Sequence, residues 1–404
     1  MTDYDVIVVG GGPAGSTTAR RASLAGLQVL LIDKARFPRS KPCAGALAGR
    51  AAELLDFDIM EVVHRRISGF SFFAPAGFRI DCIPEDRSKP GYTVMRADFD
   101  HLLLRKAGEA GAEIREEVKA LDISQDSQNA TIVTEEGGTL TSRYVVGADG
   151  INSVVAKDLQ FYSGWPKDSA FVGIQIEAEV GIEKVREICG DPTGYDADVF
   201  FLYFGLVPHG YAWCFPKQSA LSLGACCRQD KVSNIRKIYN EWFKDFSQEY
   251  GITPEIISDT GARFPCTIKK PIVKGRAILV GDAAGFVDPF TGEGIQHAIQ
   301  SGIIAAKALK QAVEKRNPNI LREYEKECNR EIGGHLGVSD YMAGLFYKSE
   351  KNMETLSRFF KEDEYARYLI AAMIGGLLPP KTVKRKMTLR MIKKRPRDAL
   401  SLMR

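Results

Sequence analysis

The chain opens with a short apolar run, Asp5-Val6-Ile7-Val8-Val9, that stops at glycines 10, 11 and 12. Beyond Pro13 and Gly15 the apolar positions return at helical spacing, through Ala19, Ala22 and Leu24. This change of period predicts a strand, a tight turn and a helix. Gln28-Val29-Leu30-Leu31-Ile32 predicts a second strand, ending at Asp33. Ile67 to Phe73 and Phe78 to Ile83 read as short strands around the turn Ala74-Pro75-Ala76-Gly77. A helix is predicted from near Val94, with Ala97 or Asp98 at its cap and Leu102, Leu103 and Ala107 on its apolar face. Strand patterns follow from Gly111 to Ile123 and from Ala130 to Thr134. Tyr144-Val145-Val146-Gly147-Ala148-Asp149-Gly150 then repeats the strand-and-turn pattern.

The middle of the chain changes character. Phe171 to Val180, Ala197 to Leu206, Gly210 to Pro216 and Ala220 to Cys227 are apolar or alternating, as antiparallel strands are. Ser233 to Gln248 reads as a helix with Ser233 as N-cap. Arg276 to Val280 is again an apolar strand, ending in Gly281-Asp282, and an amphipathic helix runs to about Lys315. From Pro318 onward the pattern is helical and more polar. The expected organisation is a discontinuous nucleotide-binding domain at 1–65, 95–165 and 266–316. A β-sheet substrate domain covers 66–94 and 166–265, and a C-terminal helical region with a basic tail covers 317–404.

Composition narrows the class. The 404 residues are 45% hydrophobic and 26% charged, ordinary for a globular protein with well-buried cores. The net charge of +4 is uneven. Lys381 to Arg404 holds ten Lys or Arg and one Asp, leaving 45 basic and 50 acidic side chains elsewhere. This is not a nucleic-acid-binding distribution. The tail suits an anionic surface such as lipid head groups, or is a solvated charged helix. The eight cysteines lack paired spacing and include no C-x-x-C, so a reducing, cytoplasmic setting and no metal are expected. The first strand starts almost at once, and no signal peptide or bilayer-spanning run is read.

Candidate chemistry sits at the turns. Gly10, Gly12 and Gly15 fit G-x-G-x-x-G: a tight turn, close approach to a pyrophosphate, and helix–strand packing, in that order. The helix that follows presents N–H groups and its dipole to phosphates. Asp33, 18 residues past Gly15, can accept from an adenosine ribose. Arg96 is either a contact to the ribose or phosphates or a solvated surface charge. Cys43 lies in a loop of small residues beyond a strand end, against a cofactor ring or as a structural thiol. Asp282 can bond a polyol, and the turn Gly292-Glu293-Gly294 opens a helix suited to a flavin's electron-rich edge. Tyr211, Trp213 and Phe215 share one face of a strand by period two, as the wall of an apolar pocket or as plain core.

Three separated blocks carry a resemblance: G-x-G-x-x-G with Asp33, Gly147-Ala148-Asp149-Gly150, and Gly281-Asp282 with Gly292-Glu293-Gly294. In them the chain resembles the FAD-dependent oxidoreductases of the para-hydroxybenzoate hydroxylase structural group. Within that group it is most similar to the geranylgeranyl reductase family, through Lys41-Pro42-Cys43-Ala44-Gly45 and through Tyr211-Ala212-Trp213-Cys214-Phe215-Pro216, which fits the family's Y-x-W-x-F-P. The likeness covers all but the basic tail. It departs at Ala44-Gly45-Ala46, where the family usually has Gly-Gly or Ala/Gly-Glu-Gly, and at Asp33, where Glu is commoner. The implied fold is α/β: a Rossmann-like FAD-binding domain with an inserted antiparallel β-sheet substrate domain and a C-terminal helical region.

The resemblance implies roles residue by residue. Gly10, Gly12, Ala14 and Gly15 would hold the pyrophosphate, and Asp33, with Lys34 beside it, the adenosine ribose. Arg96 would contact the nucleotide half, and Val118 or Ala120 would lie beside the adenine. Asp282 would meet ribityl or phosphate, and Gly292, Gly294 and Ile295 the isoalloxazine side. Cys43 and Ala44 would lie close to the flavin and the reacting bond, with Tyr211, Trp213 and Phe215 lining the substrate's path. The implied activity is reduction of isolated C=C bonds in a geranylgeranyl chain of a lipid or prenyl diphosphate. The same fold also serves flavin monooxygenases, halogenases and non-catalytic prenyl-binding escort proteins. No second nicotinamide motif is visible, so the external reductant is a transiently bound NADPH or a ferredoxin. The expected placement is cytoplasmic, with peripheral membrane contact through the tail.

Overall fold

The computed structural model describes residues 2–84, 90–190 and 198–403, so Ala197, at the start of one expected strand, and Arg404, at the end of the tail, lie outside the described residues. Two compact units emerge. The first comprises Met1–Ser40, Arg96–Pro166 and Phe264–Leu336; the second comprises Lys41–Met95, Lys167–Arg263 and Gly337–Arg404.

The first unit is built on a largely parallel sheet. Its central strand Tyr4–Val9 lies between Thr139–Gly147 and Val29–Ile32, both parallel to it. Ala277–Leu279 and Glu113–Arg115 extend the sheet on either side, again in parallel. Val6 to Val9 and Val29 to Ile32 are buried without a break. That is why these strands read as continuous apolar runs, since a sheet covered on both faces has no polar alternation. The helix Pro13–Leu24 packs against the helix Ile295–Glu314. They meet at Gly302, where an added Cβ would sit 2.7 Å from the carbonyl oxygen of Ala14.

The second unit holds a mixed sheet in the order Glu255–Pro265, Ala170–Glu179, Ala220–Arg228, Gly210–Pro216, Asp198–Phe204, Val63–Phe73, Gly91–Val94 and Ala46–Leu47. The expected antiparallel pattern holds along most of it, but Asp198–Phe204 runs parallel to Val63–Phe73. One face packs on the helix Ile235–Glu249, through Tyr239, Trp242 and Phe246. Asn234, not Ser233, caps that helix, its side-chain oxygen accepting the Lys237 N–H at 3.1 Å. Likewise the helix Arg96–Glu109 begins before Ala97 and Asp98, which fall inside its first turn, where Asp98 favours the dipole.

The unit boundaries differ from the domain limits read from sequence. Residues 41–65 group with the second unit because Ala46–Leu47 pairs with Gly91–Val94, an edge that no local pattern reveals. The C-terminal helices divide at residue 336. Tyr324 donates to the Leu279 carbonyl at 2.6 Å in the first unit's core. Beyond that point, Phe346 and Phe360 set their rings against Phe204 and Phe72 of the second unit's sheet.

Candidate functional site

In the first unit three loops follow the carboxyl ends of parallel strands, where open α/β sheets bind ligands. The loop after Tyr4–Val9 admits only glycine at two points. Gly10 has φ +107 and an added Cβ 2.4 Å from the Ala148 oxygen. At Gly15 an added Cβ would lie 1.9 Å from the Gly10 oxygen. Gly12 differs: the nearest atom to its added Cβ is Arg39 Nη2, at 3.6 Å, which leaves a cradle. Among the described residues no side chain caps the helix that starts there, and the Ser16 hydroxyl fixes the turn by donating to the Gly11 carbonyl at 2.9 Å.

Asp33 clamps the second loop to the first. Its Oδ2 accepts the Gly11 N–H at 2.7 Å, and its Oδ1 accepts the Ala35 N–H at 2.8 Å. Lys34 is exposed beside it. Val118 joins this cluster, its N–H donating to the Asp33 carbonyl at 2.9 Å. Ala120 lies farther along, buried at the start of the hairpin strand Ala120–Gln125.

Arg96 is not a solvated surface charge. It forms a two-pronged pair with the wholly buried Asp100, at 2.8 Å from each oxygen. Asp100 also holds Arg39, at 3.1 Å. The Arg39 guanidinium lies over the Phe37 ring at 4.8 Å, and its Nη1 is buried with no hydrogen-bond partner among the described residues. Two guanidiniums on one carboxylate leave a net positive charge beside the Gly12 cradle and an uncapped helix end. Sequence reading missed Arg39. Its loop reads only as basic, and nothing local distinguishes it from Lys34, Arg36 or Lys41.

The third loop follows Ala277–Leu279. Gly281 packs on the helix Pro13–Leu24, an added Cβ lying 2.9 Å from the Ala14 Cβ. Asp282 Oδ1 lies 3.7 Å from the point where Gly294 would carry a Cβ, so these two meet. Gly292, at φ +74, donates its N–H to the Asp288 carbonyl at 2.8 Å, and Gly294 caps the helix Ile295–Glu314. Glu293 Oε1 accepts the Gln296 N–H at 2.8 Å. Burial, helped by Asp288, pushes the Glu293 carboxyl up to about 7, against the pull of the Gln296 and Ile295 amides and of Arg96. The Gly147–Gly150 block contributes Asp149, whose carboxyl burial pushes upward. Its Oδ2 accepts the Val154 N–H at 2.7 Å, while its Oδ1 is buried and unpartnered among the described residues. Cradle, unspent guanidinium N–H and ribose-side carboxylate together fit the pyrophosphate and adenosine of FAD.

In the second unit Tyr211, Trp213 and Phe215 share the sheet face that the C-terminal helices cover. Phe215 stacks on Phe200 at 4.3 Å between ring centroids, Phe200 on Phe70 at 5.4 Å, and Tyr211 meets Phe204 at 6.0 Å. The Trp213 indole lies over Gly224, where an added Cβ would be 2.2 Å from its ring. Its Nε1 is buried and unpartnered among the described residues. Phe70, Phe72, Phe200 and Phe204 escaped the sequence reading, although their period-two spacing within strands was a usable signal. Cys43 and Ala44 belong to a turn of the same unit, and the Gly45 N–H points to Cys43 Sγ at 3.4 Å.

Residues 3–333 match the family model described as an FAD binding domain. The chain is 34% identical to a geranylgeranyl diphosphate reductase of Rhodobacter capsulatus, over 87% of this chain and 86% of that one. It is 28% identical to a digeranylgeranylglycerophospholipid reductase of Methanococcoides burtonii, over 93% and 91%. A solved geranylgeranyl bacteriochlorophyll reductase-like protein from Thermoplasma acidophilum superposes with a TM-score of 0.81 at 23% identity, covering 99% of this chain and 98% of the other, and so shares its fold. With the Gly12 cradle, the Asp33 clamp and the aromatic face in place, the chain belongs to the FAD-dependent oxidoreductases of the geranylgeranyl reductase family.

Proposed function

We propose that the protein reduces isolated C=C bonds in a geranylgeranyl chain carried on a lipid or a diphosphate. The observation that carries this reading is the aromatic face around Tyr211, Trp213 and Phe215, extended by Phe70, Phe72, Phe200 and Phe204. Such a wall suits a long apolar chain without polar handles along its length. The relatives whose names specify geranylgeranyl substrates support the same reading. In this proposal the first unit holds FAD through Gly10, Gly12, Ala14, Gly15, Asp33, Arg96, Asp282, Gly292, Gly294 and Ile295, with Arg39 added. The second unit holds the substrate.

FAD, once bound and reduced, supplies hydride. An unactivated alkene develops no oxyanion, so the protein's own work is to orient the chain, exclude water and deliver a proton to the second carbon. Cys43 is our proposed proton source. The external reductant is NADPH or a ferredoxin, bound transiently. The test is anaerobic reoxidation of the reduced holoenzyme by a geranylgeranyl phospholipid and by geranylgeranyl diphosphate, with products analysed by mass. A gain of two mass units per reduced bond is expected from one of them, as two hydrogens add. Flavin that stays reduced with either lipid present, with both lipids returned unchanged in mass, would overturn the reading.

Membrane contact is part of this proposal. No helix among the described residues is long and apolar enough to cross a membrane. The helix Pro380–Lys394 buries Val383, Met387 and Met391, and exposes Lys381, Arg385, Leu389 and Ile392 at three- to four-residue spacing. Deleting the tail would therefore open the second unit's core, so charge reversal is the cleaner test. Lys381→Glu, Arg385→Glu and Lys393→Glu combined should weaken binding to anionic liposomes by about tenfold or more, with flavin content unchanged. Liposome binding equal to wild type would make this face a solvated one.

A further inference from the structure

Lys217 follows the Tyr211–Pro216 motif directly, yet its side chain points inward and is 1% exposed. Its Nζ donates to the Ala44 carbonyl at 2.6 Å and to the Val94 carbonyl at 2.8 Å. Gly45 makes room for it. At φ +68, an added Cβ there would lie 2.0 Å from the Val94 oxygen and 2.7 Å from Nζ. The strand end is tied down a second time by the Thr93 hydroxyl, which donates to the Pro216 carbonyl at 2.6 Å. Ala44 is the middle of the turn in which the Gly45 N–H faces Cys43 Sγ. Burial lowers the hold of Lys217 on its proton, while the charges of Glu177 and Cys43 raise it. Glu177 lies on the strand Ala170–Glu179, two strands across the sheet from Gly210–Pro216, itself buried, its Oε1 accepting from Gln175 at 2.6 Å.

We propose that Lys217 is the positioning residue for Cys43, its buried ammonium pinning the Cys43–Gly45 turn to the substrate-side sheet and placing a positive charge beside the sulfur. This rests on the reading of Cys43 as the proton source in alkene reduction. In that reaction one alkene carbon receives hydride from reduced flavin. The alkene π pair forms the new C–H bond at the other carbon with the proton of Cys43. The S–H pair then stays on sulfur, facing the ammonium, until water returns a proton. A lysine desolvated for packing alone would be replaceable by methionine; one that serves the sulfur is not.

The test compares two alkylating reagents on the holoenzyme, anionic iodoacetate and neutral iodoacetamide, with Cys43 modification counted by peptide mass. Both attack the same thiolate, so their rate ratio reports the local charge and cancels the thiolate fraction. The other seven cysteines are buried and serve as the internal check on folding. In wild type the iodoacetate/iodoacetamide ratio should exceed that of a small free thiol by about threefold or more, because a cation beside the sulfur attracts the anionic reagent. Lys217→Met should bring the ratio to the free-thiol value, and Lys217→Arg should restore it. Equal ratios in wild type, Lys217→Met and the free thiol would overturn the proposal. If Lys217→Met exposes the buried cysteines, the wild-type ratio alone decides. No substrate enters this measurement. A raised ratio in a protein that reduces no prenyl lipid would leave the Lys217–Cys43 arrangement standing and remove the proposed reaction; the converse would do the opposite.

Discussion

Gly15→Val will purify as a folded protein with little flavin. The added Cβ would fall 1.9 Å from the Gly10 carbonyl oxygen, a backbone atom that cannot swing aside as a side chain can. Either the helix Pro13–Leu24 or the Gly10 turn must move, and both belong to the proposed pyrophosphate seat. Overpacking of this kind typically costs 1–3 kcal/mol and more against backbone, so flavin retained after gel filtration should fall by about tenfold or more. Gly12→Ala is the informative companion. Its added Cβ meets nothing closer than Arg39 Nη2 at 3.6 Å, so the fold is undisturbed and the cradle alone is filled. Loss of FAD from Gly12→Ala, with thermal melting of the flavin-free protein unchanged, identifies the cradle as the phosphate seat. Stoichiometric flavin in Gly15→Val would refute the assignment of this turn.

Trp213→Ala should cripple turnover while leaving FAD in place. Trp213 is 7% exposed and packs over Gly224, within the aromatic face. Because so little of the ring is exposed, the expected effect comes mainly from the cavity its removal opens in the wall proposed to line the prenyl chain, a loss of about tenfold or more in reoxidation by the geranylgeranyl lipid. Part of the change will appear as lower stability of the second unit, because the same ring packs against its own sheet. Trp213→Phe separates the two effects, since it refills most of the volume. Recovery of stability without recovery of rate would mark a contact specific to the indole, whose Nε1 has no partner among the described residues. Wild-type reoxidation rates in both variants would place the prenyl path elsewhere.

Much of the first unit was legible because its signals are local. A run such as Val6 to Val9 is apolar because it is buried on both faces, and the glycines after it are required within a few residues of chain. Asp33 was found the same way, from its place at a strand end. Even so, its observed part is more structural than expected: both oxygens accept backbone N–H groups that hold two loops together. Helix ends were less legible, because Ser233 and Asn234 are both good caps, and only backbone geometry chose the second.

The sequence by itself determined the dinucleotide turn, the strand and helix that flank it, and the aromatic stripe of Tyr211, Trp213 and Phe215. Each is a pattern of period or spacing within about twenty residues. The tertiary structure alone decided which charges meet. Arg39 and Arg96 converge on Asp100, and Lys217 reaches Ala44 across 173 positions. It also decided that Ala46–Leu47 pairs into the second sheet and that Phe346 and Phe360 cover the aromatic face. The physical reason is the same throughout. Hydrophobic period reports the average environment of a segment, whereas a buried ion pair or a strand edge depends on a single distant partner, which leaves no periodic trace in the chain.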